Sequence, residues 1–122
     1  MTVLIHEQPI SAELQRFIDQ VLVDAEQAFT VFRETGTLTA NGTVGFIERV
    51  PGQELLVSVN YGGPWHYREP LAATVTDFNG EVILGKGKGG LGRYTKLFQQ
   101  HPDVTTVSHV HSPYLGAWAQ TH

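Results

Sequence analysis

The sequence predicts an α/β domain in which helices pack on a mixed, mostly antiparallel sheet. Three observations lead there. An apolar stripe at helical spacing opens the chain, and a period-two alternation takes over from Thr43. Turn signals then divide that second region into two hairpins, a helix, a strand and a final helix. The chain has 122 residues, of which 41% are hydrophobic, enough for one domain with a modest core. No linker, repeat or low-complexity stretch divides it, so residues 1–122 read as a single domain.

The first element is helical because Leu14, Phe17, Ile18, Val21, Leu22, Ala25, Phe29 and Phe32 recur at i, i+3, i+4 and i+7. Ser11 is a good N-cap, Glu13 suits the positive end of the helix, and Gly36 is a credible stop. The segment is long for one helix, and a break near Asp24 is an open alternative. This stripe is core rather than chemistry.

Strands are expected at 43–50 and 54–60, joined at Pro51-Gly52, with Leu55, Val57 and Val59 on one face. A second hairpin, 71–77 with 81–84, turns at Phe78-Asn79-Gly80, where Asn-Gly signals a type I′ turn. A short helix follows at 91–100, ended by His101-Pro102, and Pro113 opens the last helix.

Composition excludes several functions. A net charge of −4 with only 8 Lys plus Arg argues against nucleic acid as a partner. The absence of cysteine excludes disulfides and thiolate metal sites. No apolar run approaches the roughly 20 residues of a membrane span, and no secretory leader opens the chain. The cytoplasm is the default expectation.

Chemistry concentrates in the strand after His101. Thr105, Val107, His109 and His111 alternate with Thr106, Ser108 and Val110. Residues i and i+2 share a strand face and stand about 7 Å apart. Two imidazoles so placed can converge on one cation, and zinc or its neighbours suit them. The plainer alternative is that one histidine caps a buried hydrogen-bond network while the other faces water.

Three glycine-containing stretches interrupt the elements: 39–43, 60–65 and 85–93. The third leads into a helix N-terminus with Lys86, Lys88 and Arg93 nearby, so it is expected to bind an anion. Gly85-x-Gly87-x-x-Gly90 matches the dinucleotide fingerprint by letter, but it leaves the second strand of a hairpin rather than opening a βαβ unit. Gly89 follows Gly87-Lys88 where a P-loop needs Ser or Thr, so that motif is absent.

Together these segments resemble the class II aldolase/adducin N-terminal domain family. His101-Pro-Asp-Val-Thr-Thr-Val-Ser-His-Val-His-Ser-Pro-Tyr114 is similar to the family's "RPDV…VVHTHSPY" segment. Ala40-Asn41-Gly42-Thr43-Val44 sits where the family has its "GNIS" loop. Ser58-Val-Asn-Tyr-Gly62 resembles "TPSG", and Phe78-Asn-Gly-Glu-Val82 resembles "DLDG". The likeness runs from near Ala12 to the end, with the glycine loops in the family's order.

The resemblance implies a three-layer α/β/α fold, a homo-oligomer and a divalent metal, zinc first. The metal would be held by His109, His111 and a third histidine, and would polarise a carbonyl and stabilise an enediolate. The family's phosphate- or carboxylate-binding loops carry over to Asn41, Thr43, Gly62, Gly89 and Gly90. Two departures stand out. The family's "KPSSE" glutamate falls on Gly90, and no Asp or Glu lies between Glu81 and Asp103. Tyr94 takes a place often held by histidine. The chain also ends at His122, ahead of the family's third histidine, which reads as a fragment or a short member.

Two functions of different classes follow from the resemblance. One is a metal-dependent, lyase-type enzyme acting on a small polar carbonyl compound, its acid/base drawn from Tyr94, Tyr61, His66 or another subunit. The other is a non-catalytic, adducin-like binding or assembly domain. The His-x-His pair favours the first; the missing glutamate favours the second.

Overall fold

A computed structural model describes residues 10–36, 45–62, 69–87 and 92–109. The elements run α1 (Ala12–Glu34), β1 (Gly45–Arg49), β2 (Leu55–Asn60), β3 (Ala73–Asp77), β4 (Val82–Leu84), α2 (Gly92–Gln100) and β5 (Thr106–His109). The expected final helix from Pro113 lies outside the described residues, as do Asn41, Thr43, His66, Gly89, Gly90 and His111.

Helix α1 begins as its sequence dictates. Ser11 Oγ accepts the Leu14 N–H at 3.1 Å, satisfying one of the four orphan donors of the first turn. The helix runs unbroken for 23 residues. No break occurs at Asp24, whose side chain points outward and accepts a 2.9 Å bond from Gln20 Nε2, one turn earlier. Gly36, at φ 70°, turns the chain off the end. Ile18, Val21, Ala25 and Phe29 form the buried stripe.

The five described strands form one sheet in the order β4-β3-β2-β1-β5. Every pairing is antiparallel. No parallel pair occurs among the described strands, which accords with the mostly antiparallel sheet expected from sequence. Side-chain alternation gives the sheet two apolar faces. Val57, Val59 and Val75 cluster with the α1 stripe, while Ile47 and Leu56 cluster with Phe98 of α2. Burying each of these large side chains contributes about 1.5–3 kcal/mol, so the two clusters fix where the strands' polar positions must point.

The second hairpin differs from expectation. Gly80 N–H bonds to the Asp77 carbonyl at 3.1 Å, and Asp77 N–H to that of Glu81 at 2.9 Å. Only Gly80 in this loop has positive φ, at 86°. A type I′ turn requires positive φ at both central residues, so this is a three-residue loop closed by a left-handed glycine. The Asp77 side chain explains the choice, because its Oδ1 accepts from both Asn79 N and Glu81 N at 2.9 Å.

Arg49, at the end of β1, ties the second face together. Its guanidinium lies 5.5 Å from the Phe78 ring centre and 5.1 Å from that of Phe98. It donates to the carbonyls of Val104 at 3.0 Å, His101 at 3.2 Å and Phe98. The last carbonyls of α2 lack intrahelical partners, and Arg49 satisfies two of that region's acceptors while stacked on two rings.

Candidate functional site

The α2-facing side of the sheet becomes polar toward one end. Ser58 and Asn60 of β2 lie on that face, and Thr74 of β3 pairs directly with Ser58. They line a cleft of about 240 Å³ together with Gly62, Glu69 and Lys86. Lys86 and Gly87 form part of its wall, Gly87 packing closely on Thr74 of β3. Gly87 N–H donates to Thr74 Oγ1 at 3.1 Å. A Cβ on Gly87 would sit 2.2 Å from that oxygen, so only glycine fits there. This part of the glycine loop thus directs a backbone N–H at its own sheet, and the cation it brings to the cleft is Lys86.

His109 lies on the same face. The pairing runs Asn60 to Gly45 and Gly45 to His109, which makes one row across β2, β1 and β5. Directly paired residues point to the same side, and two strand spacings span about 10 Å. Gly45 contributes no side chain between them. The space its Cβ would fill is taken by Asn60 Oδ1, 2.6 Å from that point. The half-buried His109 ring meets α2, where Tyr94 Oη lies 2.9 Å from Nδ1.

These contacts bear on metal binding. A metal-ligating histidine usually has its other ring nitrogen hydrogen-bonded to a neighbour, and the His109–Tyr94 pair provides that arrangement. The donor set fits a divalent ion to that extent. Among the described residues no three His, Cys, Asp or Glu come together.

The other sequence-derived candidates fall in different places. Gly62 is at the cleft. Tyr61 is buried on the opposite, α1-facing side, its ring 5.3 Å from that of Phe29. Tyr94 contacts His109. Sequence reasoning missed Glu69 and Arg49. Glu69 reaches the cleft through the approach to β3, which no local pattern announces. Arg49 carried a weak signal, as a cation ending an apolar strand.

Glu48, on the α1-facing side of β1, has its carboxyl pushed above the ordinary value of 4.5, first by burial and then by the nearby Asp24 charge. It lies away from the cleft. No helix among the described residues is long and apolar enough to cross a membrane.

No curated protein sequence and no solved structure matches the chain. The family model for the Class II Aldolase and Adducin N-terminal domain matches residues 20–122, a span that includes all five strands, α2, the cleft and the His-x-His segment. This chain belongs to the class II aldolase and adducin N-terminal domain family.

Proposed function

We propose that this is a metal-dependent, lyase-type member of the family, with a three-layer α/β/α arrangement, acting on a small phosphorylated or carboxylated carbonyl compound. The observation that carries the reading is the Asn60–Gly45–His109 row, which puts the cleft and an imidazole on one face of one sheet. His109 and His111 are the proposed ligands, and a zinc ion bound there would supply Lewis-acid polarisation of a carbonyl oxygen. Lys86 pairs with the anionic end of the compound, and Ser58 and Asn60 bond its hydroxyl groups. Asn41, Thr43, Gly62, Gly89 and Gly90 complete the anion site by the family's pattern. We assign proton transfer to Glu69, the carboxylate lining the cleft. The domain works as a homo-oligomer, in which a neighbouring subunit can complete the metal site.

A second reading, a non-catalytic adducin-like domain, has one observation in its favour: Gly90 stands where the family's glutamate would act. Turnover separates the two. Because Glu69 does not stand in the place of the family's glutamate, cleavage of sugar phosphates should run below ordinary enzyme rates, a well-positioned general base contributing about 10²–10⁴-fold. It should still be sensitive to chelator and fall further in Glu69→Gln. Activity absent with and without added zinc supports the adducin-like reading. Chelator-sensitive turnover unchanged in Glu69→Gln moves the proton-transfer role elsewhere.

A further inference from the structure

Tyr94 sits in the first turns of α2, and its ring packs against the cluster of Ile47, Leu56 and Phe98. The phenol is therefore placed by core packing. His109 is placed independently, by its pairing with Gly45 at the end of β5. The two elements bring Tyr94 Oη to 2.9 Å from His109 Nδ1, a full hydrogen bond between two separately anchored groups.

We infer that Tyr94 is a positioning residue that governs which ring nitrogen His109 presents to a ligand. A neutral imidazole has one protonated nitrogen and one bare one, and the hydrogen bond at one nitrogen decides the state of the other. A phenol hydroxyl can donate or accept, so the Tyr94 bond is compatible with either tautomer but not indifferent between them. Without a ligand, the phenol is the better donor. It gives its proton toward Nδ1 and leaves the ring proton on Nε2. A cation on Nε2 displaces that proton, the ring proton resides on Nδ1, and Nδ1–H then donates to Tyr94 Oη. The same 2.9 Å contact serves both states by reversing its direction. In either state Tyr94 occupies Nδ1 and directs an incoming ligand to Nε2. Only this last step rests on reading His109 as a metal ligand; control of the tautomer does not.

The test is ¹⁵N NMR of the His109 ring in the full chain, at a pH above which its ring shifts no longer change. It compares wild type with Tyr94→Phe, without metal and with zinc alone. Tyr94→Phe keeps the ring that packs on Phe98, and its melting temperature and circular dichroism should match the wild type. In metal-free wild type the ring should be almost wholly the Nε2–H tautomer. In Tyr94→Phe the share of that tautomer should fall. With zinc, wild type should show Nε2 as the ligated nitrogen and a hydrogen-bonded Nδ1 proton. The phenylalanine variant should bind zinc about 10–100-fold more weakly. Equal tautomer ratios in the two proteins would overturn the inference. So would wild-type ligation through Nδ1. If zinc does not bind either protein but the tautomer shifts in Tyr94→Phe, the inference holds and the metal reading falls.

Discussion

Asn60 Oδ1 fills the position that a side chain on Gly45 would take: a Cβ there would lie 2.6 Å from the carboxamide oxygen and 2.8 Å from the Val59 carbonyl. The second contact is with backbone, which has little room to move. Gly45→Ala should therefore destabilise the domain by about 1–3 kcal/mol and push Asn60 off the row it shares with His109. Urea unfolding measures the first effect, and loss of ligand binding at the cleft the second. Unchanged stability would mean that strands β1 and β2 separate more readily than their pairing implies.

Arg49 is expected to matter more than its place at a strand end suggests. It holds the carbonyls of Phe98, His101 and Val104 while stacked between Phe78 and Phe98. Arg49→Met takes the side-chain donor from the Phe98 and Val104 carbonyls, while the His101 carbonyl keeps the Val104 N–H at 3.0 Å. The change should cost about 2–3 kcal/mol. Arg49→Lys should recover little, because an ammonium cannot reproduce the planar fork or the stacking. Chemical denaturation of both variants, with amide exchange at the end of α2, checks this. A lysine variant as stable as wild type would contradict it.

Glu48 gives a pH dependence of known sign. Its folded carboxyl value is raised, by burial first and by Asp24 second, so the fold favours the protonated form. That contribution is present below the unfolded value, near 4.5, and disappears as pH rises through the folded value. Glu48→Gln should therefore gain stability over wild type at pH 7, with the gain shrinking toward pH 4. Unfolding midpoints at the two pH values decide it, and a gain of equal size at both would contradict the assignment.

Local patterns explain which parts of this fold could be read in the sequence. Ile18, Val21, Ala25 and Phe29 announced α1 because helix amphipathicity is written within a few turns. The alternation of Val57 and Val59 with Leu56 placed β2 in the same way. The Asn79-Gly80 turn was located correctly but given the wrong type, since Asp77 redirects the loop through its own side chain. The alternative of a break near Asp24 is closed by the unbroken course of α1, and the described strands follow the mostly antiparallel expectation.

The site was less legible. Period two correctly set His109 on the Val107 side of β5. Nothing local joins it to Tyr94, because that contact depends on how α2 rotates over the sheet. The cleft is equally non-local. Ser58 meets Thr74 through strand register, while Glu69 and Lys86 arrive from opposite ends of the β3–β4 hairpin.

The central claim, that the His-x-His segment holds a divalent ion, is tested most directly by zinc titration and metal analysis of wild type, His109→Ala and His111→Ala. A stable catalytic zinc site normally has three protein ligands, so a further ligand is expected to join His109 and His111, from His122, a neighbouring subunit, water or buffer. Wild type should bind zinc measurably and each alanine variant should lose that binding, with circular dichroism unchanged in all three. Equal zinc in wild type and both variants, or none in wild type, would contradict the account.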